Sequence, residues 1–193
     1  INEPPRVGTT VELSVVESEN AQIFSSSWDR TYGGGGDEIV ADSIITSDGG
    51  YLIVGTSDSN KSFDKLENSR GGRDYWVVKL DDLGNKVWDR TYGGSEKDLG
   101  NGAVEVTGGG YLIWGSSSSP ADGDRTVENK GFSDYWIVRI DAEGNKLWDK
   151  AYGGDSYDNC YDLITTEGGG YLLGGVSKSA SGDVSESGRG VED

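Results

Sequence analysis

One motif, Trp-Asp-Arg/Lys-x-Tyr-Gly-Gly, begins at Trp28, Trp88 and Trp148, a spacing of sixty residues each time. A second, Gly-Gly-Tyr-Leu, begins at Gly49, Gly109 and Gly169, and a third, Asp-Tyr-Trp, at Asp74 and Asp134. The stretch from Trp88 to Leu147 holds one full copy. A fixed period of this length marks a repeat architecture, in which each unit buries its apolar face against its neighbours. The 193 residues therefore read as one array rather than as two small independent domains.

Within a unit the turns are the clearest signposts. Ile39–Thr46 is an apolar run with polar interruptions, closed by Asp48-Gly49-Gly50, whose glycines accept positive φ without steric cost. Strands are expected next at Tyr51–Ser57 and, after the loop 58–73, at Asp74–Asp81, where apolar side chains on both faces predict burial on both sides. Asp82-Leu83-Gly84-Asn85, matched by Ala142-Glu143-Gly144-Asn145, reads as a tight hairpin turn into a fourth strand, Lys86–Tyr92. Upstream, residues 1–24 read as an extended entry or a degenerate strand pair, with strands over 9–17 and 21–27, and residues 25–193 hold the repeats.

Four short antiparallel strands per unit, with no helical period, predict an all-β chain of β-propeller blades, about three of them, hence a partial propeller. An open stack of sheets in a solenoid is the alternative. Strand alternation puts both tight turns at one end of each sheet. The long Ser/Asp-rich loop and the Tyr-Gly-Gly link lie at the other, so the variable length, and any binding surface, is expected on the long-loop face.

The run Asp48–Ser57, a loop, and then Asp74–Gly94 resembles the delta-60 type of β-propeller repeat in large secreted proteins of Bacteroidota. The pattern Leu-Asp-x-x-Gly-Asn-x-x-Trp at Leu80–Trp88 is also similar to the turn of quinoprotein-type blades, where a tryptophan docks one blade on the next. The resemblance covers roughly Trp28 to Ser177. It implies a secreted or surface-exposed protein, exported by the type IX system and used in adhesion, gliding motility or polymer binding, with no quinone or metal signature carried over.

Charge narrows the partners. Seventeen basic residues against 34 acidic ones give a net charge of −17, which repels phosphate backbones and anionic lipid, so nucleic acid and membrane insertion are not expected. No run reaches the roughly 18 apolar residues of a membrane span. Six tryptophans and ten tyrosines held in register set the chain apart from a disordered acidic polymer. A chain that opens on Ile1 and contains no Met reads as a processed product or an excised part. Three units are fewer than a ring of four to eight blades needs, so the remaining blades of a longer chain or a second copy are expected partners, beside surface proteins or glycans.

Candidate site residues are few. Asp37, Asp98 and Asp158 precede the first strand of successive copies and offer weak calcium coordination, the alternative being solubilising charge and capping of loop backbone; no other cofactor is indicated. Paired carboxylates for glycoside hydrolysis can be drawn in many ways among so many acids, and without histidine neither a histidine triad nor a histidine zinc site is available, so no catalytic residue is assigned. Trp28, Trp88, Trp148, Trp76 and Trp136 fall at repeat-locked strand positions, which predicts core packing and blade docking. Trp114 takes the place of Val54 as a local packing adjustment, and Cys160, the only cysteine, is expected to be a small buried apolar group. Phe63 and Phe132 lie in the long loops and are the candidates for a contact surface.

Overall fold

Strands account for all the regular secondary structure in the described residues, 11–17 and 25–183, of the computed structural model, with side chains defined from Trp28 onward. In chain order they are β1 (Val11–Glu17), β2 (Ser25–Tyr32), β3 (Glu38–Ile45), β4 (Tyr51–Ser57), β5 (Asp74–Leu80) and β6 (Lys86–Tyr92). They continue with β7 (Asp98–Glu105), β8 (Tyr111–Ser117), β9 (Asp134–Ile140), β10 (Lys146–Tyr152), β11 (Asp158–Thr165) and β12 (Tyr171–Ser177). Every pairing between these strands is antiparallel and sequential, giving two four-stranded sheets, β3-β4-β5-β6 and β7-β8-β9-β10, flanked by the pairs β1-β2 and β11-β12. The second strand of the opening pair, expected over 21–27, runs among the described residues over Ser25–Tyr32, where Trp28 to Tyr32 pair with Val15 back to Val11. Residues 18–24 lie outside the described residues.

The turns form as their sequences dictate. At Thr46–Gly50 the Gly49 amide donates to the Thr46 carbonyl and the Thr46 amide to the Gly50 carbonyl, both at 2.9 Å, with Gly49 at φ +84°. At 81–85 the Asp81 carboxylate accepts the Leu83 and Asn85 amides, and Gly84 takes φ +73°. Such left-handed positions cost about 1–2 kcal/mol for a residue with a Cβ.

Successive sheets stack face to face. β7 packs across β3, β4 and β5, and β11 across β7, β8 and β9. Between the two full sheets, Leu52, Val54, Tyr75 and Val77 meet Tyr111, Ile113, Trp136 and Val138 in one dry cluster. Every residue of β5 is buried, because one face serves this cluster and the other meets Tyr32 and Trp28 of β2. The first strands, β3, β7 and β11, carry a register shift at matching places, Val40/Asp42, Gly100/Gly102 and Cys160/Asp162. Such bulges re-aim side chains. Here the Asp42 carboxylate accepts the Ala103 amide at 3.2 Å and Asn101 Nδ2 donates to the Cys160 carbonyl at 2.6 Å, tying each first strand to the next.

Candidate functional site

Both tight turns of a sheet lie at one end, and the long loops 58–73 and 118–133 lie at the other with the Gly-Gly links between sheets. Three acids fasten those links. Glu38, Asp98 and Asp158, buried at the start of β3, β7 and β11, accept the amides of Gly34, Gly94 and Gly154 at 3.0, 2.7 and 2.8 Å. They also accept serine hydroxyls: Ser57 at 2.9 Å and Ser59 on Glu38, Ser119 on Asp98 at 2.9 Å, and Ser179 on Asp158 at 2.6 Å. The glycines are obligatory, since a Cβ on Gly94 would sit 2.6 Å from that of Ser119.

Each long loop is then anchored from inside by a buried cation and two carboxylates. Arg125 is wholly buried, donating through Nη1 to the Ser117 hydroxyl and the Ser119 carbonyl, each at 2.7 Å, and through Nη2 to Asp134 at 3.0 Å. In the preceding loop Lys65 donates to the Thr91 hydroxyl and to the Glu67 carbonyl, and burial lowers its pKa. Asp149 collects the Thr126 amide and hydroxyl, Trp136 Nε1 and Lys146 Nζ within 3.0 Å, and Asp89 repeats the pattern with Leu66, Trp76 and Lys86. For Asp149 burial opposes ionisation, but these hydrogen bonds prevail and hold its carboxyl below the usual range. Asp74 and Asp134 accept loop amides, from Arg70 at 2.6 Å and Lys130 at 2.9 Å. Burial pushes Asp74 up to about 6 and Asp134 upward as well. Asp74 is closed off from solvent, so its raised pKa offers no proton to an external substrate.

On this scaffold sit the exposed aromatics. Phe132, 61% exposed, stacks on Tyr157 with ring centroids 4.9 Å apart and planes 20° from parallel, and its amide donates to the Ser156 carbonyl at 2.9 Å. Phe63 is exposed in its own loop at φ +47°, held by backbone bonds between Ser62 and Lys65. The two phenylalanines belong to loops of different sheets; the ring beside Phe132 is Tyr157, which sequence reasoning missed. Ion pairs bridge successive loops, Arg70 to Asp124 at 2.9 Å and Lys130 to Asp183.

The three acids considered for calcium are not brought together. Asp37 faces Arg73 at 3.7 Å, whereas Asp98 and Asp158 head different sheets and cap glycine amides. Among the described residues no group of three or more acidic, cysteine or histidine side chains is placed to hold a metal ion. The position matching Asp98 and Asp158 is Glu38; the recurrence of Ser-x-Ser at 57–59, 117–119 and 177–179 is the signal that could have identified it.

Trp76, Trp136 and Trp88 are buried, and Trp28 lies edge-on to Tyr51 with centroids 5.6 Å apart. Trp148 differs, at 42% exposed against 9% for Trp88. Trp114 is buried over Gly102, where a Cβ would come within 2.4 Å of its ring. Cys160 is buried, and its surroundings push the thiol up to about 12, away from nucleophilic use. Chemically, the long-loop face is a polar surface of mixed charge whose loops are fastened from within, and it carries the stacked pair Phe132–Tyr157. Compared with known proteins, the chain matches no family model and no curated protein.

Proposed function

We propose that the chain is part of a β-propeller, its sheets being blades, and that it serves as a non-catalytic binding or spacer module of a secreted bacterial cell-surface protein, meeting its partners through the long-loop face. The blade reading is supported by face-to-face stacking in which β3, β7 and β11 follow one another. Export to the outer surface, by the type IX route of the delta-60 repeats, rests on the sequence resemblance alone.

The observation that carries the binding reading is the Phe132–Tyr157 stack on loops locked from within. Preorganised loops lose little conformational freedom on binding, and an exposed aromatic pair is a ready contact. The same pair favours glycan as the partner, because the apolar face of a sugar ring packs on an aromatic plane while the surrounding polar loops meet its hydroxyls. The test is affinity electrophoresis through gels containing bacterial surface polysaccharide. The chain is expected to be retarded, and Phe132→Ala/Tyr157→Ala to migrate as in an empty gel. Migration of the unmodified chain unchanged by any polysaccharide would remove the glycan reading in favour of the spacer.

A further inference from the structure

The long loops of successive sheets turn at one equivalent position. Phe63, Gly123 and Gly182 stand there at φ +47°, +55° and +83°. The residue after each, Asp64, Asp124 and Asp183, donates its amide to the carbonyl of Gly33, Gly93 and Gly153 at 3.0, 2.7 and 2.9 Å. The three carboxylates accept the amides of the same glycines at 3.3, 3.4 and 3.2 Å. Two copies of this turn carry glycine, and one carries phenylalanine.

Glycine is what the geometry asks for. A Cβ at Gly123 would meet the Gly93 carbonyl oxygen at 2.4 Å, and one at Gly182 the Gly153 carbonyl oxygen at 2.5 Å, closer than side-chain carbons come. A left-handed backbone is also unfavourable for a bulky side chain. Phe63 holds it with its ring 41% exposed, so burial offsets the strain only in part. Strain retained at an exposed position is a pointer to function. The base of the loop is fixed, because the Ser62 hydroxyl accepts the Gly35 amide at 2.9 Å and the Lys61 amide donates to Asn68 Oδ1 at 3.0 Å.

The ion pair of Arg70 with Asp124 ties this loop to the next one, whose far end carries the Phe132–Tyr157 stack. We propose that Phe63 is a second aromatic subsite of the long-loop face, and that the face takes an extended, uncharged polysaccharide lying across Phe63 and Phe132–Tyr157. This inference rests on the glycan reading and adds the class of glycan. Two linked subsites reward a polymer through effective concentration, which a short oligosaccharide cannot use. The net charge of −17 repels polyuronates, so the polymer is uncharged.

The test is affinity electrophoresis of the full chain in gels of dextran, levan or mannan, with alginate as the polyanionic comparison. Retardation by at least one uncharged polymer is expected, with affinity reduced at least about tenfold by Phe63→Gly and kept by Phe63→Trp. A trisaccharide of the retarding polymer should compete at least about tenfold less well than the polymer at equal sugar concentration. Phe63→Gly should melt at or above the temperature of the unmodified chain, because it relieves the backbone, which separates lost binding from lost folding. Retardation that survives Phe63→Gly but not Phe132→Ala/Tyr157→Ala overturns the second subsite and leaves the glycan reading standing. A trisaccharide as effective as the polymer, or a lower melting temperature for Phe63→Gly, does the same. Equal retardation by alginate overturns the uncharged class, and retardation by none of the four polymers removes the glycan reading and this inference with it.

Discussion

The Tyr92 hydroxyl, at the end of one sheet, donates to the carbonyl of Gly144, in the hairpin turn of the next, at 2.5 Å. Both groups are shut away from water, so removing the donor strands a buried carbonyl. Tyr92→Phe is expected to lower stability by about 1–2 kcal/mol in urea denaturation, and Tyr32→Phe comparably. Tyr152→Phe, at the equivalent position but 40% exposed, should stay within about 0.5 kcal/mol of the unmodified chain.

Arg125 and Asp134 form an ion pair with no exposure on either side. Replacing the arginine alone leaves a charged carboxylate in a dry site, and Arg125→Met is expected to cost about 3–5 kcal/mol. The double variant Arg125→Met/Asp134→Leu should recover part of that loss, because it removes the orphaned charge. Equilibrium unfolding of the three proteins tests the ordering.

Asp74 titrates near 6 in the folded chain, raised chiefly by burial, while hydrogen bonds from Ser69 and Arg70 pull the other way and neighbouring Asp98 adds to the rise. One of its oxygens, aimed at Gly93, has no hydrogen-bond partner. The unfolded carboxyl titrates near 4. The folded state thus holds this proton more tightly, so the stabilisation from protonating Asp74 is full below about pH 4 and lost as pH rises through about 6. Asp74→Asn is expected to be more stable than the unmodified chain at pH 7, by on the order of 1–3 kcal/mol, with the advantage shrinking between pH 6 and 4. Paired thermal melts across that range check the sign.

Strand positions were largely legible because glycine punctuates them. Tyr51–Ser57 and Lys86–Tyr92 fall where the Asp-Gly-Gly and Gly-Asn turns place them, and the burial of β5 follows from its two apolar faces. The loops were not legible, since nothing local distinguishes Lys65 and Arg125 from surface charges. Their burial depends on carboxylates and hydroxyls brought in from other strands. Tyr157 was missed for the same reason: its contact with Phe132 joins a long loop to the link before β11, and no short-range pattern records it. The second strand of the opening pair extends beyond the expected 21–27 to Tyr32, because the Trp-Asp-Arg-Thr-Tyr motif, read as the head of the repeats, itself pairs with β1.

Trp88, Arg90 and Tyr92 donate to the carbonyls of Ala142, Glu143 and Gly144, a grip with a modular consequence. Each full sheet carries the receiving half of the joint on one side and the gripping half on the other, with every bond made to a main-chain carbonyl. A tandem duplication of the coding segment would bring both halves with it. The array can lengthen or shorten by whole units without any new side chain having to arise, leaving the long loops, which take no part in that joint, free to diverge from unit to unit.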